Sequence, residues 1–314
     1  MGKGYFRSLR RRVKARLFHH DASDPGRAAS EATDHTSAAI QASSYGVLVW
    51  HDCPHATVDI CFVHGLTGDR ERSWTAADSK KEKDGHPWPQ SILPPELPNA
   101  RILTYGYDAY YTSEGVSSGN RLSDHARNLV TELTTNRRAN QNRPLIFVAH
   151  SLGGLVTKKG LLLSRDNREE YLQGIFKCTK GIIFMGTPHR GSWMADWAKF
   201  PVSAFGVVKS VNGRLLKSLQ TDGEYLESMQ EDFARLLRKT DTKSETPIEV
   251  TCFFEELPMQ VIGTIVSRES ATLPDYNAIS IHANHREMVR FSSTTDRGFV
   301  EVLGLLRKWQ YEVE

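Results

Sequence analysis

The stretch PLIFVAHSLGGLVTKKG, Pro144–Gly160, begins as an apolar strand, reaches a histidine, a serine and two glycines, and passes at once into helical spacing. A chain that only needs to turn seldom ends a strand in Ser-Leu-Gly-Gly. A sharp strand-to-helix corner explains each residue. It projects the hydroxyl of Ser151 clear of a sheet, and it aims the next backbone N–H, that of Leu152, at the group the oxygen would attack. Gly153 and Gly154 permit the tight turn and the close helix–strand packing that a Cβ would obstruct. The helix N-terminus adds partial positive charge. The elbow pattern is usually G-x-S-x-G; here its first position is Ala149, the smallest substitute. A serine hydroxyl is a poor nucleophile without a base to take its proton and donors to hold the resulting oxyanion. The remainder of the chain has to provide both.

Working outward, short apolar runs alternate with helical patterns from Tyr45 onward. The strand-like runs are 46–50, 58–65, 100–107, 144–150, 181–187, 248–254 and 277–283. Several are apolar almost throughout, as strands covered on both faces are. Leu122, Ala126, Leu129, Val130 and Leu133 form one helical stripe; Phe299, Val302, Leu303 and Leu306 form another. The alternation predicts an α/β fold with a mainly parallel, doubly wound sheet and helices on both faces. Ligand sites in such sheets lie at the carboxyl ends of the strands. Residues 191–220, rich in Trp, Phe and Val, read as a small cap-like insertion.

The base should arrive on a loop after the last strand, and ISIHANHREMVRF offers His282 and His285. His282 falls within the strand alternation, whereas His285 follows the small polar turn Ala283-Asn284, which selects His285. His150 adjoins Ser151 in sequence, and neighbours at a sharp corner point apart, so it reads as packing. A carboxylate should orient the imidazole. The carboxylates near the end of the 248–254 strand are Glu255, Glu256, Glu269 and Asp275; Glu255, at the strand's end, and Glu269 are the leading rivals, and the residues leave the acid undecided. A second oxyanion donor is expected from the turn after 58–65, where Gly65 frees the backbone to turn the Leu66 N–H inward. His64 has no second ligand at metal spacing and reads as a loop anchor. No metal or cofactor is expected.

The composition is that of a folded globular chain: 314 residues, 39% apolar and 25% charged. A net charge of +3 is too small to indicate nucleic acid. Four scattered cysteines form no close pair for zinc or redox work. No apolar run reaches membrane-spanning length, and no secretory signal follows the basic start. Seven of the basic groups and no acid lie in the first eighteen residues. Phe6, Leu9, Val13 and Leu17 recur there at helical spacing, so residues 1–20 read as a basic amphipathic segment suited to peripheral contact with an anionic membrane or to mitochondrial import. The resulting expectation is an intracellular protein, mitochondrial or membrane-peripheral, with a cytoplasmic location as the alternative. Residues 21–44, Ala-, Ser- and Thr-rich, read as a linker, and 45–314 as the folded domain.

The segments VDICFVHGLTGDRERSW, RILTYGYDA, VAHSLGGLVTKKGLL, FMGTPHRGS, CFFEELPM and ANHREMVRF occur in this order over residues 45–310. Together they resemble the α/β-hydrolase lipases of the serine-active-site phospholipid-remodelling type. They are still more similar to fungal hydrolase domains (DUF676-like) found alone or ahead of nucleotide-binding and repeat modules, with a distant likeness to the GPI inositol-deacylases. The resemblance implies an α/β-hydrolase fold and acyl-ester chemistry on lipids, with Ser151 as nucleophile, His285 as base and the Leu66 and Leu152 amides as oxyanion donors. FFEELP and VSRESA both match family motifs, so Glu255 and Glu269 remain rivals. With the chain ending at Glu314, no nucleotide-switched receptor is expected. The leading expectation is a serine hydrolase that cleaves or transfers acyl groups of a lipid or small ester. The alternative is a non-catalytic signalling or interaction domain that keeps the fold.

Overall fold

The computed structural model describes residues 45–66, 68–76, 85–108, 118–190, 223–240, 247–260 and 263–312. The basic segment 1–20, the linker 21–44 and the insertion 191–220 lie outside the described residues.

Seven strands form one sheet: β1 Gly46–His51, β2 Val58–Val63, β3 Ala100–Gly106, β4 Leu145–His150, β5 Thr179–Met185, β6 Glu249–Glu255 and β7 Asn277–Ile281. Their order is β1-β3-β2-β4-β5-β6-β7. All pairings are parallel except β1 with β3. The longer described helices are α1 Ser118–Asn136, α2 Leu152–Arg165, α3 Glu170–Cys178, α4 Gly223–Thr240 and α5 Arg297–Tyr311.

Every residue of β2, β3 and β4 is buried, which is why these strands read as largely apolar runs rather than alternating ones. The alternation survives as a division between two cores. Cys61, Val63, Phe147 and Ala149 face a cluster built with α1, α2 and α4. Ile60, Phe62, Ile146 and Val148 face the opposite cluster, which holds Trp74, Trp88 and the α5 stripe Phe299, Val302, Leu303 and Leu306. Each large apolar side chain buried in these layers contributes about 1.5–3 kcal/mol over its exposed state. Both helical stripes read from the sequence are thus the faces on which α1 and α5 dock.

Two charges interrupt the pattern, Arg101 in β3 and Asp59 in β2, which lie 3.8 Å apart. Asp59, fully buried in β2, is held by Arg137 at 2.7 Å and Arg143 at 2.9 Å, so its desolvation is offset by paired hydrogen bonds. This cluster lies at the amino ends of the strands, away from Ser151.

The chain leaves β2 toward β3 on one side and later returns to β4 on the other. The carboxyl ends of β2 and β4 therefore flank the point where the winding reverses, the place where open α/β sheets form crevices. β2 ends before His64-Gly65 and β4 ends before Ser151. The strand bounds differ from the sequence reading by one or two residues; among them, β7 stops at Ile281, so His282 stands just beyond the strand rather than inside it. It is exposed, with its Nδ1 2.8 Å from Glu256 Oε2.

Candidate active site

Ser151 takes φ +52° and ψ −123°, a conformation that non-glycine residues rarely adopt. Ordinary helix N-caps are extended and accept a bond from the first turn. Ser151 stands at the N-cap of α2 without any side-chain capping bond. Such strain costs about 1–3 kcal/mol and persists only where the surroundings enforce it. Here they do. Ser151 N–H donates to Met185 O at 2.9 Å. A Cβ on Gly153 would strike the His64 and Val63 carbonyls, and one on Gly154 would strike Thr187. The glycines after the serine are therefore required by contact with β2 and with the loop after β5.

The corner packs against two other turns. A Cβ on Gly65 would lie 2.7 Å from Ser151 Cβ, so the turn after β2 touches the serine directly. Gly186, at φ +56°, follows the Met185 carbonyl that holds the Ser151 amide. A Cβ on Gly186 would lie 2.8 Å from His285 Cε1 and 2.9 Å from its Nδ1. The residue that lies against the His285 ring is thus the next one along from the residue bonded to Ser151. Ser151, through its backbone amide, and His285, through its ring, are thus both set against the turn after β5, and both are buried, at 2% and 6% exposure.

His285 Nδ1 lies 2.7 Å from Glu255 Oε2, in a pair that is almost wholly buried. The second carboxylate oxygen, Oε1, accepts from Ile265 N–H at 2.5 Å. A proton held on Nδ1 by a carboxylate makes Nε2 the basic nitrogen of the neutral ring. Glu269 does not reach this ring. It is exposed, on the short turn after Ser267, and its own backbone N–H, with help from the Ser267 hydroxyl, holds its carboxyl below the usual range.

Leu66 and Leu152 flank the corner on the two turns, each 8% exposed. His64 anchors the first turn. Its Nδ1 donates to Gly65 O at 2.9 Å, its Nε2 accepts from Tyr107 N–H at 3.2 Å, and its ring stacks on Tyr107 at 4.4 Å. Burial pushes this imidazole down to about 4, so it stays neutral. Among the described residues no group of His, Cys, Asp and Glu could hold a metal ion.

One cluster escaped the sequence reading. Lys158, fully buried on α2, donates to His189 Nδ1 at 2.6 Å and to Gln230 Oε1. Gln230 Nε2 in turn donates to Pro188 O at 3.3 Å. The lysine thereby ties α2 and α4 to the loop that carries Gly186. Its only signal in sequence is a charge one turn inside an apolar helix. Burial pushes this ammonium from 10.5 down to about 7. In the unfolded chain it stays protonated up to about pH 10.4. The unfolded state therefore binds more protons between these limits, and the contribution falls as pH drops from about 10 to 7. Wild-type stability should rise with pH across that window, by on the order of 1 kcal/mol per pH unit relative to Lys158→Met. Urea midpoints of the two proteins at pH 7, 8 and 9 measure the difference; parallel curves would refute it.

The family described as "Putative serine esterase (DUF676)" matches residues 58–257, from the start of β2 to just past Glu255. The chain belongs to the DUF676 family. Mouse protein SERAC1 is 30% identical over 253 residues, covering 72% of this chain and 35% of that protein. Human protein SERAC1 is 29% identical over 252 residues, with the same coverage. The chain thus spans about a third of the length of these relatives. Among solved structures, the mature lipase BlEst2 of Bacillus licheniformis superimposes with a TM-score of 0.52 at 16% identity, over 82% of this chain and 97% of that one. That likeness bears on the fold, which is the α/β-hydrolase fold. Membership of a family described in these terms supports hydrolase activity in general for the chain.

Proposed function

We propose that the protein is a serine esterase that works through an acyl-enzyme, with Ser151 as nucleophile, His285 as base, Glu255 as the orienting acid and the Leu66 and Leu152 amides as oxyanion donors. The observation that carries this reading is the buried Glu255–His285 pair beside a serine held in a strained, non-capping conformation. Ser151 Oγ attacks the ester carbonyl carbon as its proton passes to His285 Nε2, and the carbonyl oxygen becomes an oxyanion between the two amides. Collapse breaks the C–O bond of the leaving alcohol, which takes the proton from His285. Water, or a second alcohol, then attacks the acyl-enzyme with the imidazole again as base, and Ser151 is restored.

The resemblance of the motif set to lipid-acting hydrolases supports a lipid or lipid-like acyl ester as substrate. The basic amphipathic pattern of residues 1–20 supports work at an anionic membrane, including that of a mitochondrion. Among the described residues no helix is long and apolar enough to cross a membrane.

The test is labelling of the full chain with a fluorophosphonate probe, followed by a panel of p-nitrophenyl esters, phospholipids, thioesters and amides. Labelling with a preference for esters of longer acyl chains is expected. Absence of labelling by the folded protein would favour a non-catalytic scaffold, and a preference for amides or thioesters would redefine the substrate.

A further inference from the structure

We infer that His150 is a positioning residue that fixes the base loop against the nucleophile corner, by a single bond from its Nε2–H to the backbone carbonyl of His285. The inference rests on the esterase reading above and adds a residue to it. Nε2 of His150 lies 3.0 Å from His285 O. A carbonyl only accepts, so Nε2 carries the proton and Nδ1 does not. The two rings lie with centroids 4.9 Å apart at 39°, so His150 also forms part of the wall against which the His285 ring rests. On its other side, a Cβ at Gly65 would meet His150 Nδ1 at 2.9 Å and His150 O at 3.1 Å, which puts the turn bearing Leu66 in contact with this same residue.

His150 therefore touches three separate parts of the site. It precedes Ser151 in the chain, it abuts the Gly65 turn, and it holds the loop of His285. A ring in this position must also stay uncharged, because the chemistry makes His285 an imidazolium. Burial drives the His150 ring well below the ordinary histidine value, and His285, Arg290 and His64 act in the same direction as nearby positive or titratable groups, while its bond to His285 O opposes them. It thus orders the site without adding a second cation. The sequence supports only the weaker statement that adjacent residues at a corner point apart. The tertiary structure shows where this one points.

Two substitutions separate positioning from bulk. In His150→Gln the side-chain amide can place an N–H where Nε2 stands; in His150→Asn the shorter amide cannot reach it. With p-nitrophenyl butyrate, His150→Asn should lose roughly 10- to 100-fold in kcat with little change in KM, as small misplacements of a reacting group do. It should also shift the acidic limb of the kcat/KM profile, and His150→Gln should recover most of the rate and the limb. Equal rates in the two variants, or a loss in kcat with an unmoved limb and no recovery in Gln, would overturn the assignment. A measurement on the wild type needs no variant. Nitrogen NMR of labelled protein should find His150 as the Nε2–H tautomer and still neutral across the pH range in which an ordinary histidine becomes protonated. Titration of that ring within this range, or the Nδ1–H tautomer, would also overturn it. Fluorophosphonate labelling of the wild type keeps the two ideas distinct: an unlabelled wild type refutes the esterase, whereas a labelled wild type with equally active variants refutes only the role of His150.

Discussion

Ser151→Ala is expected to abolish fluorophosphonate labelling and to reduce ester hydrolysis by about five to six orders of magnitude, leaving the thermal midpoint within a few degrees of wild type. The size of the effect follows from how such a site works. The Oγ forms the covalent bond, and no neighbouring atom can replace it at that point of the corner. Its removal leaves the oxyanion amides and substrate binding to supply what residual rate remains. The fold should tolerate the change. The side chain makes no capping bond, and the backbone is held by Ser151 N–H to Met185 O and by the glycine contacts, none of which needs the hydroxyl. His285→Ala should cost about as much, and the double variant should cost little more than either alone, because the groups act as a unit. Hydrolysis within tenfold of wild type in a folded Ser151→Ala protein would refute the proposed chemistry.

The second large effect separates the two carboxylates. Glu255→Gln is expected to lower kcat by about four orders of magnitude, while Glu269→Gln should stay within about twofold of wild type. Glu255 accepts on both oxygens, from the His285 ring at 2.7 Å and from Ile265 N–H at 2.5 Å. An amide in its place has one oxygen and one NH2. Whichever way it is oriented, one of those two donors meets another donor. If the amide NH2 faces His285, the ring is driven to the tautomer with its proton on Nε2, and the base has nothing left to accept with. Some loss of stability should accompany the change, because a buried donor left unsatisfied costs about 1–3 kcal/mol. Glu269 is exposed and tied to its own turn, so its amide should disturb neither ring nor fold. Steady-state rates of the two variants, with near-ultraviolet circular dichroism to check folding, decide the matter. A large loss in Glu269→Gln with Glu255→Gln active would reverse the assignment.

Local pattern was enough for much of this protein. The strands at 58–63, 100–106 and 145–150 could be read from largely apolar runs because burial on both faces leaves few polar residues to break them. The corner at Ser151 could be read because its glycines, its serine and the helix after it are all demanded within five residues. His285 could be preferred to His282 from a small polar turn, even though the strand proved to end one residue before His282. The resemblance read from the motifs agrees with the family match over residues 58–257.

Other features lay beyond local pattern. The competition between Glu255 and Glu269 involves two carboxylates fourteen positions apart, each beside a plausible motif. Only the path of β6 and the loop to Ile265 decides which of them meets an imidazole thirty positions downstream of Glu255. Lys158 is a charge within a largely apolar helix, and nothing along the chain shows that α2 is covered on its side by α4 and the loop after β5. His150 looked like inert packing because nothing in its own neighbourhood shows the carbonyl it bonds, 135 positions away. What the sequence alone determined was every property set within one strand, turn or helix, since neighbours along the chain create those constraints. Which distant side chains meet was decided by the tertiary structure alone, because a hydrogen bond between remote loops depends on where the sheet order and helix packing deliver them, and short-range periodicity carries no record of that.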